Sequence, residues 1–120
     1  MDIDIGRLGE DIACKFLENK GFHVKTRNYR RIFGELDIVT EYKNKLHFVE
    51  VKTLEGENTL FKPEDAVHYR KRERLKRAIK GYLREFRVSD ETEWQFDIIS
   101  VLIDTDDKIA KVRVLENMVL

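Results

Sequence analysis

The spacing of apolar residues changes along the chain, and each change marks an element. Ile5, Leu8, Ile12, Ala13, Phe16 and Leu17 recur every three or four positions, which predicts a helix over residues 4–20 with Asp4 as N-cap and Gly21 as terminator. From Phe22 to Tyr29 the pattern suits a strand. Gly34–Tyr42 and Leu46–Lys52 are short arms rich in β-branched and aromatic residues, joined by the polar corner Lys43-Asn44-Lys45, which predicts a hairpin. Residues 53–62, polar with Gly56 and Asn58, read as a loop. Pro63 opens a long helix with Glu64 and Asp65 in its first turn and the stripe Leu75, Ala78, Ile79, Tyr82, Leu83, Phe86. After an acidic turn at 90–93 come an apolar strand over 94–103, interrupted by Asp97, and an alternating strand over 109–115. The order α-β-β-β-α-β-β predicts an α/β fold in one domain spanning 1–120. A right-handed crossover through the long helix would make the fourth strand parallel to the third in a mixed five-stranded sheet.

Composition narrows the class. The chain has 120 residues, 42% apolar and 38% charged, enough for one core under a heavily ionised surface. Formal net charge is zero, yet the cations crowd the middle of the chain and acids collect late, so a basic side is expected. A single cysteine, Cys14, excludes an internal disulfide and fits a reducing, cytoplasmic setting. The start carries no basic-then-apolar leader, and no run is long enough to span a bilayer.

Chemistry concentrates on the hairpin. Alternation points Glu50 and Lys52 the same way, and Asp37 on the facing arm shares that side if the register allows. Acids held beside apolar residues are costly without a partner. A hard divalent cation is such a partner: Asp37 and Glu50 suit Mg2+ or Mn2+, with the Val51 carbonyl as a third ligand. Lys52 would orient or help deprotonate a water for attack on a phosphodiester. Glu10 borders the buried stripe of the first helix and joins the set. Lys71 lies inward on the long helix and needs an anionic partner, either this acid cluster or a bound phosphate. Arg30 and Arg31, with Arg70 and Arg74, form candidate phosphate contacts. Each has a plainer alternative. An acid-x-lysine is commonly a surface pair, Glu10 a solvated residue at a helix margin, and the arginines a charged edge that discourages strand pairing. His23, His47 and His68 lack ligand spacing and read as structural or surface residues.

Gly34-Glu35-Leu36-Asp37 followed by Phe48-Val49-Glu50-Val51-Lys52-Thr53 resembles the YraN family of uncharacterised small bacterial proteins. So do Gly9-Glu10-x-x-Ala13, Asn28-Tyr29-Arg30, the set Ala66-Val67, Arg70-Lys71, Leu75, Ala78, Tyr82-Leu83, and the late Phe96-Asp97-Ile98-Ile99. That family is similar to the PD-(D/E)xK nucleases, with their restriction-endonuclease-like three-layer core, and to archaeal Holliday-junction resolvases. The resemblance implies that Glu10, Asp37, Glu50 and Lys52 occupy the four active-site positions. It assigns Glu35 and Lys71 to motifs of less defined role. Leu54 departs from the arginine common after Lys-Thr, removing a phosphate contact. The leading expectation is a Mg2+- or Mn2+-dependent nuclease acting on DNA, branched or nicked, working as a homodimer without a membrane. The alternatives are a non-catalytic nucleic-acid-binding module of the same fold, accessory to DNA repair or uptake, and an interaction domain whose acids form a structural ion network.

Overall fold

A computed structural model describes residues 4–56 and 69–120, Tyr69 by its backbone alone. The expected helix start at Pro63, its first-turn acids, His68 and the loop beyond Gly56 lie outside the described residues. The elements are α1 (Ile5–Asn19), β1 (His23–Arg31), β2 (Gly34–Tyr42), β3 (Lys45–Glu55), α2 (Tyr69–Glu85), β4 (Glu93–Asp104) and β5 (Ile109–Leu115). They follow the α-β-β-β-α-β-β order. One mixed sheet runs β1-β2-β3-β4-β5, with β3 and β4 parallel and every other pair antiparallel.

Local chemistry accounts for the joints. Asp4 caps α1 by accepting the Arg7 amide at 3.1 Å. The β2–β3 corner is tighter than expected: only Lys43 and Asn44 are outside the strands, both with positive φ (50° and 63°), as a type I′ turn requires. Thr53–Glu55 belongs to β3 instead of a loop, because β4 runs alongside and pairs them with Val101, Leu102 and Ile103.

The sheet separates two apolar layers. On one face Leu75, Ala78, Ile79 and Tyr82 of α2 cover Tyr29, Leu36, Val39, Phe48, Phe96 and Ile98. On the other, Ala13, Cys14 and Leu17 of α1 cover Ile38, Val49, Ile99, Val101 and Ile103. Phe96, Ile98, Ile99 and Val101 are divided between these faces, which is why β4 reads as one apolar run.

Two glycines set how near the helices come. A Cβ on Gly9 would overlap the side chain of Thr53, so α1 lies hard against β3. A Cβ on Gly34 would sit 2.7 Å from the Arg74 carbonyl oxygen, so the start of β2 touches α2. Both close approaches lie beside the acidic residues.

Candidate active site

Asp37 occupies a break in strand pairing. Arg27 pairs with Ile38 and Tyr29 with Leu36, but the ladder skips Asn28 and Asp37, and Asn28 takes a positive φ of 53°. Leu36 and Ile38 accordingly join opposite apolar layers although only two residues apart. The interruption turns the Asp37 carboxylate toward β3, where Oδ2 accepts the Val51 N–H at 2.8 Å. The β2–β3 register, Ile38 against Val49, brings Glu50 beside it. The two carboxyl groups lie side by side. Burial first, and the Glu50 charge second, push Asp37 up to about 7 from its ordinary 3.8, against the opposing pull of the Val51 amide.

Glu50 lies on the α2 face. Its Oε1 meets the Lys71 ammonium at 2.6 Å, with the Glu50 side chain only 12% exposed. The inward lysine of α2 thus finds the acid cluster. Lys71, Arg70, Arg74 and Leu75 join Glu35 and Glu50 around a hollow of about 340 Å³. Lys52, two residues beyond Glu50 on β3, is half-buried and pairs in register with Ser100.

Glu10 approaches from the opposite layer, brought in by the Gly9–Thr53 contact. Its carboxyl is raised, foremost by burial and then by the Asp37 charge. Oε1 is buried and has no hydrogen-bond partner among the described residues. It lines a second polar hollow with Arg7, Arg27, Asn28 and Arg30. Glu50 thus lines one hollow and Glu10 another, and each hollow carries arginines.

Not every expected residue joins. Arg31 is taken by Glu85, which accepts from its Nε at 2.9 Å and its Nη2 at 2.6 Å, and its guanidinium stacks over Tyr29. It braces β1 to α2. Arg30 is 72% exposed and only loosely paired with Glu35 at 3.5 Å. Among the described residues no three His, Cys, Asp or Glu side chains come close enough to hold a metal together; the close acid pair is Asp37 and Glu50. The donor chemistry nonetheless suits a hard cation, for which one or two carboxylates suffice, and the orphaned Glu10 oxygen is a third of the same kind.

Sequence reasoning missed the His47–Asp97 pair. Nδ1 and Oδ2 lie 2.7 Å apart with both side chains nearly sealed from solvent. Asp97 also accepts from Gln95 Nε2 at 2.7 Å and the Asn117 amide at 2.9 Å. The polar interruption of an apolar strand was its only trace. No described helix is long and apolar enough to cross a membrane.

The model of the uncharacterised protein family UPF0102 matches residues 9–101. A UPF0102 protein of Solibacter usitatus is 41% identical over 110 residues, covering 90% of this chain and 82% of the relative. One from Alkaliphilus oremlandii is 34% identical over 119 residues, 98% of either chain, and one from Clostridium botulinum is 32% identical over 114 residues, 95% of this chain and 92% of the relative. The matched region contains all four residues Glu10, Asp37, Glu50 and Lys52. The motifs that resemble YraN and these full-length similarities agree, and the chain belongs to the UPF0102 family.

Proposed function

We propose that this protein is a metal-dependent nuclease that hydrolyses DNA phosphodiester bonds. One observation carries the reading: two carboxyl groups on adjacent strands lie side by side, Glu50 also 2.6 Å from the Lys71 ammonium, at a break in the sheet. Crowding two acids raises the free energy of the empty site, and a divalent cation would relieve it. Asp37 and Glu50 would hold the ion, with the Val51 carbonyl completing the protein's share and Glu10 bearing on it from α1. When bound there, Mg2+ or Mn2+ would supply Lewis acidity, activating a water and offsetting negative charge on the phosphate.

The remaining work falls to the chain's own groups. Lys52 would orient the attacking water. Lys71, paired with Glu50 at 2.6 Å, would face a phosphate oxygen where Glu50 serves as a metal ligand. Arg70 and Arg74 on one side and Arg30 on the other would guide the strand past the acids. The homodimer and cytoplasmic setting expected from resolvase-like proteins accompany this reading as analogy.

The test is incubation of a four-way DNA junction with Mg2+ or Mn2+. The native protein should cleave, and Glu50→Gln should cleave at least ~100-fold more slowly, as removal of one charge-stabilising group does elsewhere, while still binding DNA. Equal cleavage by both would remove Glu50 from the chemistry. A second reading, a DNA-binding module without catalysis, draws on the 2.6 Å Lys71 contact that already satisfies Glu50. It expects salt-sensitive binding, unchanged in Asp37→Asn, with no cutting under either metal.

A further inference from the structure

The β1–β2 turn is unlike the rest of the surface. It consists of Ile32 and Phe33 alone. Ile32 is fully exposed, at 106% of its reference area, and Phe33 is 38% exposed. A β-branched aliphatic chain held wholly in water at a hairpin apex contributes nothing to the core.

The residues on either side of Ile32 are nevertheless anchored. The Phe33 ring lies against α2 so closely that a Cβ on Gly81 would overlap it. Gly34 touches the Arg74 backbone directly after the turn. Arg31 is clamped by two bonds to Glu85, which also accepts from the Tyr29 hydroxyl at 3.0 Å. Arg30 leaves β1 on the other face, toward the hollow shared with Glu10. Asp37 lies three positions beyond Gly34, so the apex begins about 10 Å along the strand from the acids.

An aliphatic tip on an anchored turn and an exposed arginine beside it, bordering a polar hollow that Arg7 and Arg27 also line, are the kinds of parts by which proteins part stacked bases. Building on the nucleic-acid reading above, we propose that Ile32 is a wedge that enters DNA where base stacking is already interrupted, at a branch or nick. Arg30 holds the adjoining phosphate and Arg31 keeps the hairpin from folding back. The wedge selects the substrate; it does no chemistry. An uninterrupted duplex must be unstacked before the tip can enter, whereas a branch or nick presents an open step, so discontinuous DNA is favoured.

The experiment uses the full chain carrying Glu50→Gln, so that binding is read without cutting. A four-way junction, a nicked duplex and a continuous duplex of matched sequence are compared, with 2-aminopurine beside the discontinuity. Ile32→Ala should cut the preference for discontinuous DNA by about tenfold, the equivalent of 1.4 kcal/mol, and abolish the 2-aminopurine brightening. Binding to continuous duplex should stay unchanged. Undiminished preference in Ile32→Ala overturns the wedge and leaves the nuclease reading standing. No DNA binding by any form overturns both. Sedimentation showing an Ile32-dependent dimer, with junction preference unaltered, makes the tip a self-contact and overturns the wedge as well.

Discussion

Asp37 is neutral in the folded protein over a range where it would be ionised in the unfolded chain. The sign of the consequence is fixed: the folded state binds the extra proton between its ordinary 3.8 and about 7, so stability falls as pH rises through that window and levels off above it. Asp37→Asn removes the slope. The variant should be more stable than the native protein by on the order of 2–4 kcal/mol above pH 7, with the difference shrinking toward pH 4, as measured by thermal unfolding without divalent metal. The same residue gives a metal prediction. Mn2+ must displace the Asp37 proton, so its stabilisation of the native protein should grow between pH 6 and pH 8. It should be absent from Glu50→Gln in the same thermal assay.

At the scale of elements, the Gly9–Thr53 contact fixes how α1 delivers Glu10. Gly9→Ala would gain helix propensity but force the new methyl into Thr53, a net loss of ~1–3 kcal/mol. Thr53→Ala should recover part of it, since the hydroxyl is the nearest offending atom; denaturant titration of the double-mutant cycle measures the coupling. Elements were legible in the sequence wherever a local rule operates. Helical spacing placed Lys71 on the inner face of α2, and hairpin geometry placed Asp37 near Glu50. What escaped notice depends on distant partners. Arg31 read as a phosphate contact or a charged edge because Glu85 is 54 positions away; His47 and Asp97 are 50 apart. The end of β3 read as a loop because its pairing is supplied by β4, across the whole of α2. The Glu10 orphan oxygen was invisible because a periodic stripe locates a residue on a helix and says nothing of its depth.

For the molecule as a whole, zero net charge conceals strong separation. Arg70, Lys71 and Arg74 share one hollow with Glu35 and Glu50, so on the proposed nucleic-acid reading DNA affinity should fall steeply with salt despite the neutral total. Replacing Arg70 and Arg74 together by alanine should lower the slope of log affinity against log salt by about 2 and weaken all DNA forms alike. That pattern separates phosphate holding from the selective loss expected at Ile32.

The sheet order β1-β2-β3-β4-β5 also bears on how the chain finds its shape. Three of its four pairings close over short turns; the β3–β4 pairing alone must wait for the chain to travel through α2. Loop closure over that distance is the slowest entropic step available. Asp37 and Glu50 lie together on the early side of it, whereas Lys71 arrives with the helix. A chain that formed its local hairpins first would therefore assemble the two acids before their counter-charge, and Lys71 would reach them once α2 packs on the sheet.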